Sequence, residues 1–214
     1  MLARTLAESE YRASKIVLNG LKRRGSTFGV INVKAAEAAE TATFVQLRLS
    51  FVKSGTNQEV VVPRTFMTLF DVDSTIDPVR ECQSINGASQ MILSENSELR
   101  VYRTNAERLM PEAKAVFDLV DPIKGAWAQP LVCATRRGIG ADNPADATKL
   151  TDLQRSRSVM SMIEYKSSFE VRLALSGCCS TGRNYLFGCA PLDIAFCPVP
   201  ILLAEACFRC ERSA

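Results

Sequence analysis

Residues 44–51 read Phe44-Val45-Gln46-Leu47-Arg48-Leu49-Ser50-Phe51. In an extended chain Val45, Leu47, Leu49 and Phe51 fall on one side, and Gln46, Arg48 and Ser50 on the other. Alternation with a period of two is that of a strand with one face buried and one face wet. Downstream, Ser54-Gly55-Thr56-Asn57 supplies a turn, and the apolar run at 59–62 predicts a partner strand that closes a hairpin. Residues 65–72 (TFMTLFDV) are nearly all apolar or β-branched, as in a central strand buried on both faces. Asn86-Gly87 is a two-residue hairpin signal between strands at 81–85 and 89–93.

Working outward, short strands are expected at 28–33, 99–102, 159–165 and 169–175, with Ser167-Ser168 joining the last two as a hairpin. Short apolar runs at 116–120 and 131–135 cross a less regular region. Residues 138–147 (GIGADNPADA) form a turn-rich loop. Thr151-x-x-Gln154 has the form of a capping box, which predicts one helical turn over 152–157. Residues 185–187 end the pattern. Many short strands with regularly spaced turns, and no long helices between them, indicate an all-β antiparallel β-sandwich of jelly-roll type rather than an α/β fold.

The two ends read differently. Residues 5–24 are rich in helix formers, with Gly20 and Gly25 marking a stop, so an N-terminal helix is expected. The expected organisation is a helical arm at 1–27, a sandwich at 28–188 and a Cys-rich tail at 189–214. The net charge of +3 belongs to the arm: residues 1–34 hold seven Lys or Arg against Glu8 and Glu10. A basic face interleaved with aromatics is not seen over the strands, so no nucleic-acid partner is expected. The first 25 residues have no apolar stretch of the signal-peptide kind, and the acidic Glu8 and Glu10 do not suit a transit peptide. The late apolar stretch 185–208 is broken by Asp193, Glu205 and three prolines, unlike a membrane span. A soluble chain is expected, its compartment open, and extracellular only as part of a longer precursor or assembly.

The 214 residues include eight Cys and no His. The missing histidine removes His-based catalytic triads, HExxH zinc sites and imidazole proton shuttles. Six of the cysteines lie in the last 37 residues. Eight cysteines allow 105 pairings, and without an export signal reduced, buried thiols are at least as expected as a disulfide framework. Cys207 and Cys210 make a CxxC, but Cys189 and Cys197 are too far apart to be the second pair of a zinc site.

Phe70-Asp71-Val72-Asp73-Ser74-Thr75-Ile76-Asp77 sets carboxylates at alternate positions where a buried strand ends. Calcium takes oxygen ligands, and spaced Asp residues on a loop supply them. Ile76 and Cys82 stand where an EF-hand needs Gly and Glu, so the expected site is a loop calcium at Asp71, Asp73 and Asp77, with Glu81 nearby. Asp142, Asn143 and Asp146 form a second oxygen-rich group with the same option. The plainer reading of both is turn capping. Gly182-Arg183-Asn184-Tyr185 combines a planar cation, an amide and a ring, and Arg183, Asn184 and Tyr185 are the candidate ligand contacts. Glu164 and Glu170 flank one turn and are the only acid–base pair with glycosidase-like placement. Exposed strand faces routinely carry Glu, which is the stronger reading.

Several fragments together resemble uncharacterised β-sandwich modules of large algal and protist proteins. They are Phe70-Asp71-Val72-Asp73, Glu81-Cys82, Gly140-Ala141-Asp142-Asn143-Pro144 with Asp146, Gln154-Arg155, and Gly182-Arg183-Asn184 with Leu186-Phe187. The resemblance covers about residues 40–188 and implies a sandwich with a non-enzymatic role. The expected function is a non-catalytic binding module for a glycan or protein surface, with loop-bound calcium. The alternative is a structural subunit docking through its N-terminal helix and a sheet edge, and a carboxylate glycosidase ranks third.

Overall fold

The computed structural model describes residues 2–9, 13, 15, 19–21, 28–35, 42–74, 80–102, 130–147, 149–176 and 182–188. The first sheet holds β1 (Leu2–Ser9), β4 (Ala42–Ser50), β6 (Arg80–Asn86), β8 (Leu99–Tyr102), β9 (Leu131–Ala134) and β11 (Ser168–Ser176). The second holds β2 (Gly20–Leu21), β3 (Gly29–Val33), β5 (Val62–Phe70), β7 (Gln90–Leu93), β10 (Val159–Lys166) and β12 (Arg183–Gly188). Spatial order is β1-β4-β11-β6-β9-β8 in the first and β2-β3-β12-β5-β10-β7 in the second. The ladders are antiparallel. Val45, Leu47 and Leu173 of the first sheet share one core cluster with Met67, Leu69 and Ile163 of the second. Two antiparallel sheets with a common apolar core fit a β-sandwich.

Four ladders nest: β6 pairs with β9, β4 with β11, β5 with β10 and β3 with β12. The alternation in residues 44–51 is realised in β4, where Val45, Leu47 and Leu49 are buried and Arg48 is exposed. The expected central strand is β5, which lies between β12 and β10.

The three expected hairpins resolve differently. Gly87 takes φ +97 and turns the chain, but β6 and β7 lie in different sheets. β10 and β11 likewise part to opposite sheets after Ser167. Residues 51–60 keep a Val52–Glu59 bridge and a Val60 N–H to Phe51 C=O bond of 2.9 Å, and β5 then joins the second sheet. A turn signal reverses the chain without choosing the sheet. The choice belongs to the nested ladders, which give both edges of each inner strand a partner.

The N-terminal segment departs from expectation more sharply. Residues 2–9 are strand β1, paired along β4 from Leu2–Ser50 to Ser9–Phe44, and β2 pairs with β3. Helix propensity is a weak determinant beside tertiary pairing, and the edge of β4 offers residues 2–9 backbone partners that an isolated helix cannot match; most of the expected helix between residues 10 and 18 lies outside the described residues. The expected helical turn is present as α1 (Asp152–Ser156). Thr151 Oγ1 accepts from Gln154 N–H (3.3 Å), and Gln154 Oε1 accepts from Thr151 N–H (3.0 Å). The 116–120 run and the 189–214 tail lie outside the described residues.

Cys82 and Cys133 form a disulfide between neighbouring positions of β6 and β9, 51 residues apart in the chain. At these two positions the expectation of free thiols does not hold. A second apolar cluster joins Phe28, Val30, Phe70 and Leu186 to Ala147 and Leu150. It pins the end of the 138–150 loop against the second sheet. Among the described residues no helix is long and apolar enough to cross a membrane.

Candidate functional site

The last residue of β5 is the buried Phe70, and the chain turns immediately beyond it. Asp71 takes the left-handed conformation with φ 58, which Asp tolerates better than most residues. Val72 N–H bonds to Arg157 C=O (3.0 Å) and Ser74 N–H to Arg136 C=O (2.9 Å), while Gly138 N–H bonds to Ser74 C=O (2.8 Å). These bonds lay the Gly138 loop beside Asp73. A Cβ at Gly138 would overlap the Asp73 carboxylate, so glycine lets the backbone approach this closely. The loop closes on Asp142, whose oxygens both accept from Ile139 N–H at 3.2 Å. Gln154 Nε2 holds it to α1 through Ala141 C=O (3.3 Å) and Asn143 C=O (3.2 Å).

Asp71, Asp73 and Asp142 thereby present carboxylate oxygens within 4.8 Å of one another, all three buried. Asn143 stands against Asp71, and with its amide nitrogen toward the carboxylate it donates to both oxygens, Oδ1 at 3.2 Å. Two arginines serve the group. Arg157 pairs with Asp142 and, at 2.8 Å, with Glu98. Arg183 pairs with Asp73 through Nη2 and with Glu81 Oε1 through Nε at 2.5 Å. Glu81 is 1% exposed, and its Oε2 has no hydrogen-bond partner.

The electrostatics follow from crowding acids in a dry place. Burial, then the charges of Asp71 and Asp142, push the Glu81 carboxyl well above the usual carboxylate range. Burial lowers the Arg183 guanidinium, against the pull of Asp71 and Tyr185. Burial first and Glu81 second raise the Tyr185 phenol.

No family model matches this chain, and no curated protein or solved structure is similar to it. The site must therefore be read from its own atoms.

Of the expected oxygen ligands, Asp71, Asp73 and Asp142 come together from two loops, and Asn143 joins them. Asp146 is not among the three converging carboxylates, and Asp77 lies outside the described residues. Of the candidate ligand contacts, Arg183 is bonded to Asp73 and Glu81. Asn184 Oδ1 accepts from Asn32 Nδ2 (2.7 Å), and the buried Tyr185 hydroxyl donates to Ala174 C=O (2.5 Å). Sequence reasoning missed Arg157 and Gly138. A basic residue after a helical turn and a glycine in a turn-rich loop carry no signal of a distant partner.

Glu164 and Glu170 are not brought together. Glu164, on the second sheet, pairs with Arg64 and is held below the usual carboxylate range by bonds from Ser89 first and Arg64 second. Glu170, on the first sheet, accepts from Gln46 Nε2 (2.8 Å) and Asn86 Nδ2 (3.3 Å). Their in-sequence neighbours Ile163 and Phe169 point into the core, so the two carboxylates face away from each other across the sandwich. Beside Glu170, at the far end of β6 from Glu81, Arg48, Asn86, Gly87, Lys166, Ser168 and Phe169 complete an open groove of about 300 Å³.

Proposed function

We propose that this chain is a non-catalytic binding module built on a jelly roll, and that the groove beside Glu170 takes a hydroxyl-rich ligand of the glycan class. Nested ladders of eight strands in two sheets are the pattern of a long hairpin rolled on itself, the jelly-roll arrangement. The observation that carries the binding reading is the lining of the groove. Arg48, Asn86 and Glu170 stand at registered positions of three adjacent strands, Arg48 opposite Glu170 and Glu170 opposite Asn86. A row of planar donors and acceptors on a rigid sheet matches adjacent hydroxyls of a sugar ring. Glu164 and Glu170, the pair on which the glycosidase reading rested, stand on different sheets, which favours the binding reading. The fragments that resemble protist sandwich modules also support a non-enzymatic role.

The test is binding of the purified chain to an array of neutral and acidic glycans. Arg48→Ala combined with Asn86→Ala should abolish binding while leaving the melting temperature unchanged, because Arg48 is exposed and Asn86 ends its strand. Absence of binding to any glycan, or binding indifferent to the pair, overturns the reading. A second reading, an assembly subunit, is favoured by β1, which among the described residues forms an edge of the first sheet where a partner strand could add. Deleting residues 1–24 would then change the sedimentation profile.

A further inference from the structure

We propose that Asp71, Asp73 and Asp142, with the buried Glu81 beside them, form a site for a hard divalent cation of the calcium class at the end of the sandwich. The proposal is independent of the glycan groove. Three buried carboxylates from two loops present oxygens within 4.8 Å of one another. Like charges this close repel in a dry interior, and two arginines are bonded to a larger set of acids: Arg183 to Asp73 and Glu81, Arg157 to Asp142 and Glu98.

The second observation is Glu81. It reaches the site from β6, on the opposite sheet from Arg183, and shares that guanidinium with Asp73. Its Oε2 is buried without a hydrogen-bond partner, an arrangement that costs free energy unless something occupies that oxygen. All donors are oxygens. Hard cations prefer such a set, and an irregular group drawn from separate segments suits the variable coordination of calcium better than the strict octahedron of magnesium.

The experiment titrates calcium chloride and magnesium chloride by calorimetry into the full chain after treatment with a chelator. A single calcium should bind, raise the melting temperature and be preferred over magnesium. Asp73→Asn and Glu81→Gln should each weaken calcium binding by about 10–100-fold. Asp152→Asn, at an exposed carboxylate on α1, should leave it unchanged. Where Asp73→Asn does not fold, Glu81→Gln decides, because it keeps the acceptor for Arg183. No heat and no thermal shift with calcium in the folded chain overturns the proposal, as does affinity that survives Glu81→Gln. Preference for magnesium overturns the calcium assignment.

Discussion

Arg183 on β12 and Glu81 on β6, 102 positions apart in the chain, meet across the gap between the two sheets, Nε to Oε1 at 2.5 Å. The same guanidinium holds Asp73, 110 residues away. One side chain thus ties both sheets to the loop after β5. A planar fork spans two carboxylates from separate nitrogens, Nε and Nη2, where an ammonium offers a single nitrogen for both.

Arg183→Met should therefore destabilise the chain by about 3–5 kcal/mol, the usual result of leaving buried charges without a partner. Arg183→Lys should recover only part of the loss. Urea denaturation of the three proteins checks this, and a Lys variant as stable as the parent would refute the two-carboxylate role.

Stability should also depend on pH through Glu81. Its folded-state carboxyl titrates above the ordinary value of 4.5, so the folded state holds that proton more tightly than the unfolded chain does. Its contribution is fully present below about pH 4.5 and is lost as pH rises toward and through the folded value. With chelator present, Glu81→Gln should gain stability relative to the parent as pH rises from 4.5 to neutrality. Denaturation midpoints that run parallel over that range would contradict the assignment.

The Cys82–Cys133 bridge closes a 51-residue span between neighbouring strands. On the chain-entropy view a loop of that size contributes about 4 kcal/mol. The double variant Cys82→Ala, Cys133→Ala should lower the melting temperature accordingly. Both sulfurs lie in residues at most 2% exposed, so a thiol reagent should label neither position in the native, unreduced chain.

Gly138→Ala tests the packing of backbone on carboxylate. The added methyl would overlap Asp73 Oδ2, and Asp73 is pinned by Arg183. The expected cost is about 1–3 kcal/mol, with weaker calcium binding because Asp73 must move. Gly140→Ala is a different case: nothing lies within 4 Å, and only its φ of +78 resists the change. A smaller loss there, without loss of calcium affinity, would separate the two effects.

The alternation Val45-Gln46-Leu47-Arg48-Leu49 determines a half-buried strand because side-chain direction in an extended chain is a local property. The same holds for the apolar run that became β5 and for the Thr151–Gln154 box that caps α1, where each bond spans three residues. The oxygen-rich loops around Asp71 and Asp142 were likewise legible as residue types. What no local rule holds is which segments meet. Propensity favoured helix near the N-terminus, yet the free edge of β4 drew residues 2–9 into a strand. Asn86-Gly87 promised a hairpin and delivered a crossing between sheets. The convergence of Asp71, Asp73 and Asp142, the reach of Arg183 to Glu81, and the choice of Cys82 for Cys133 are contacts between distant parts of the chain. Sequence by itself determined most of the strands between residues 28 and 188 and the chemical types at their ends. Only the tertiary structure decided the partners, because pairing across a sandwich is set by burial and backbone satisfaction over the whole core.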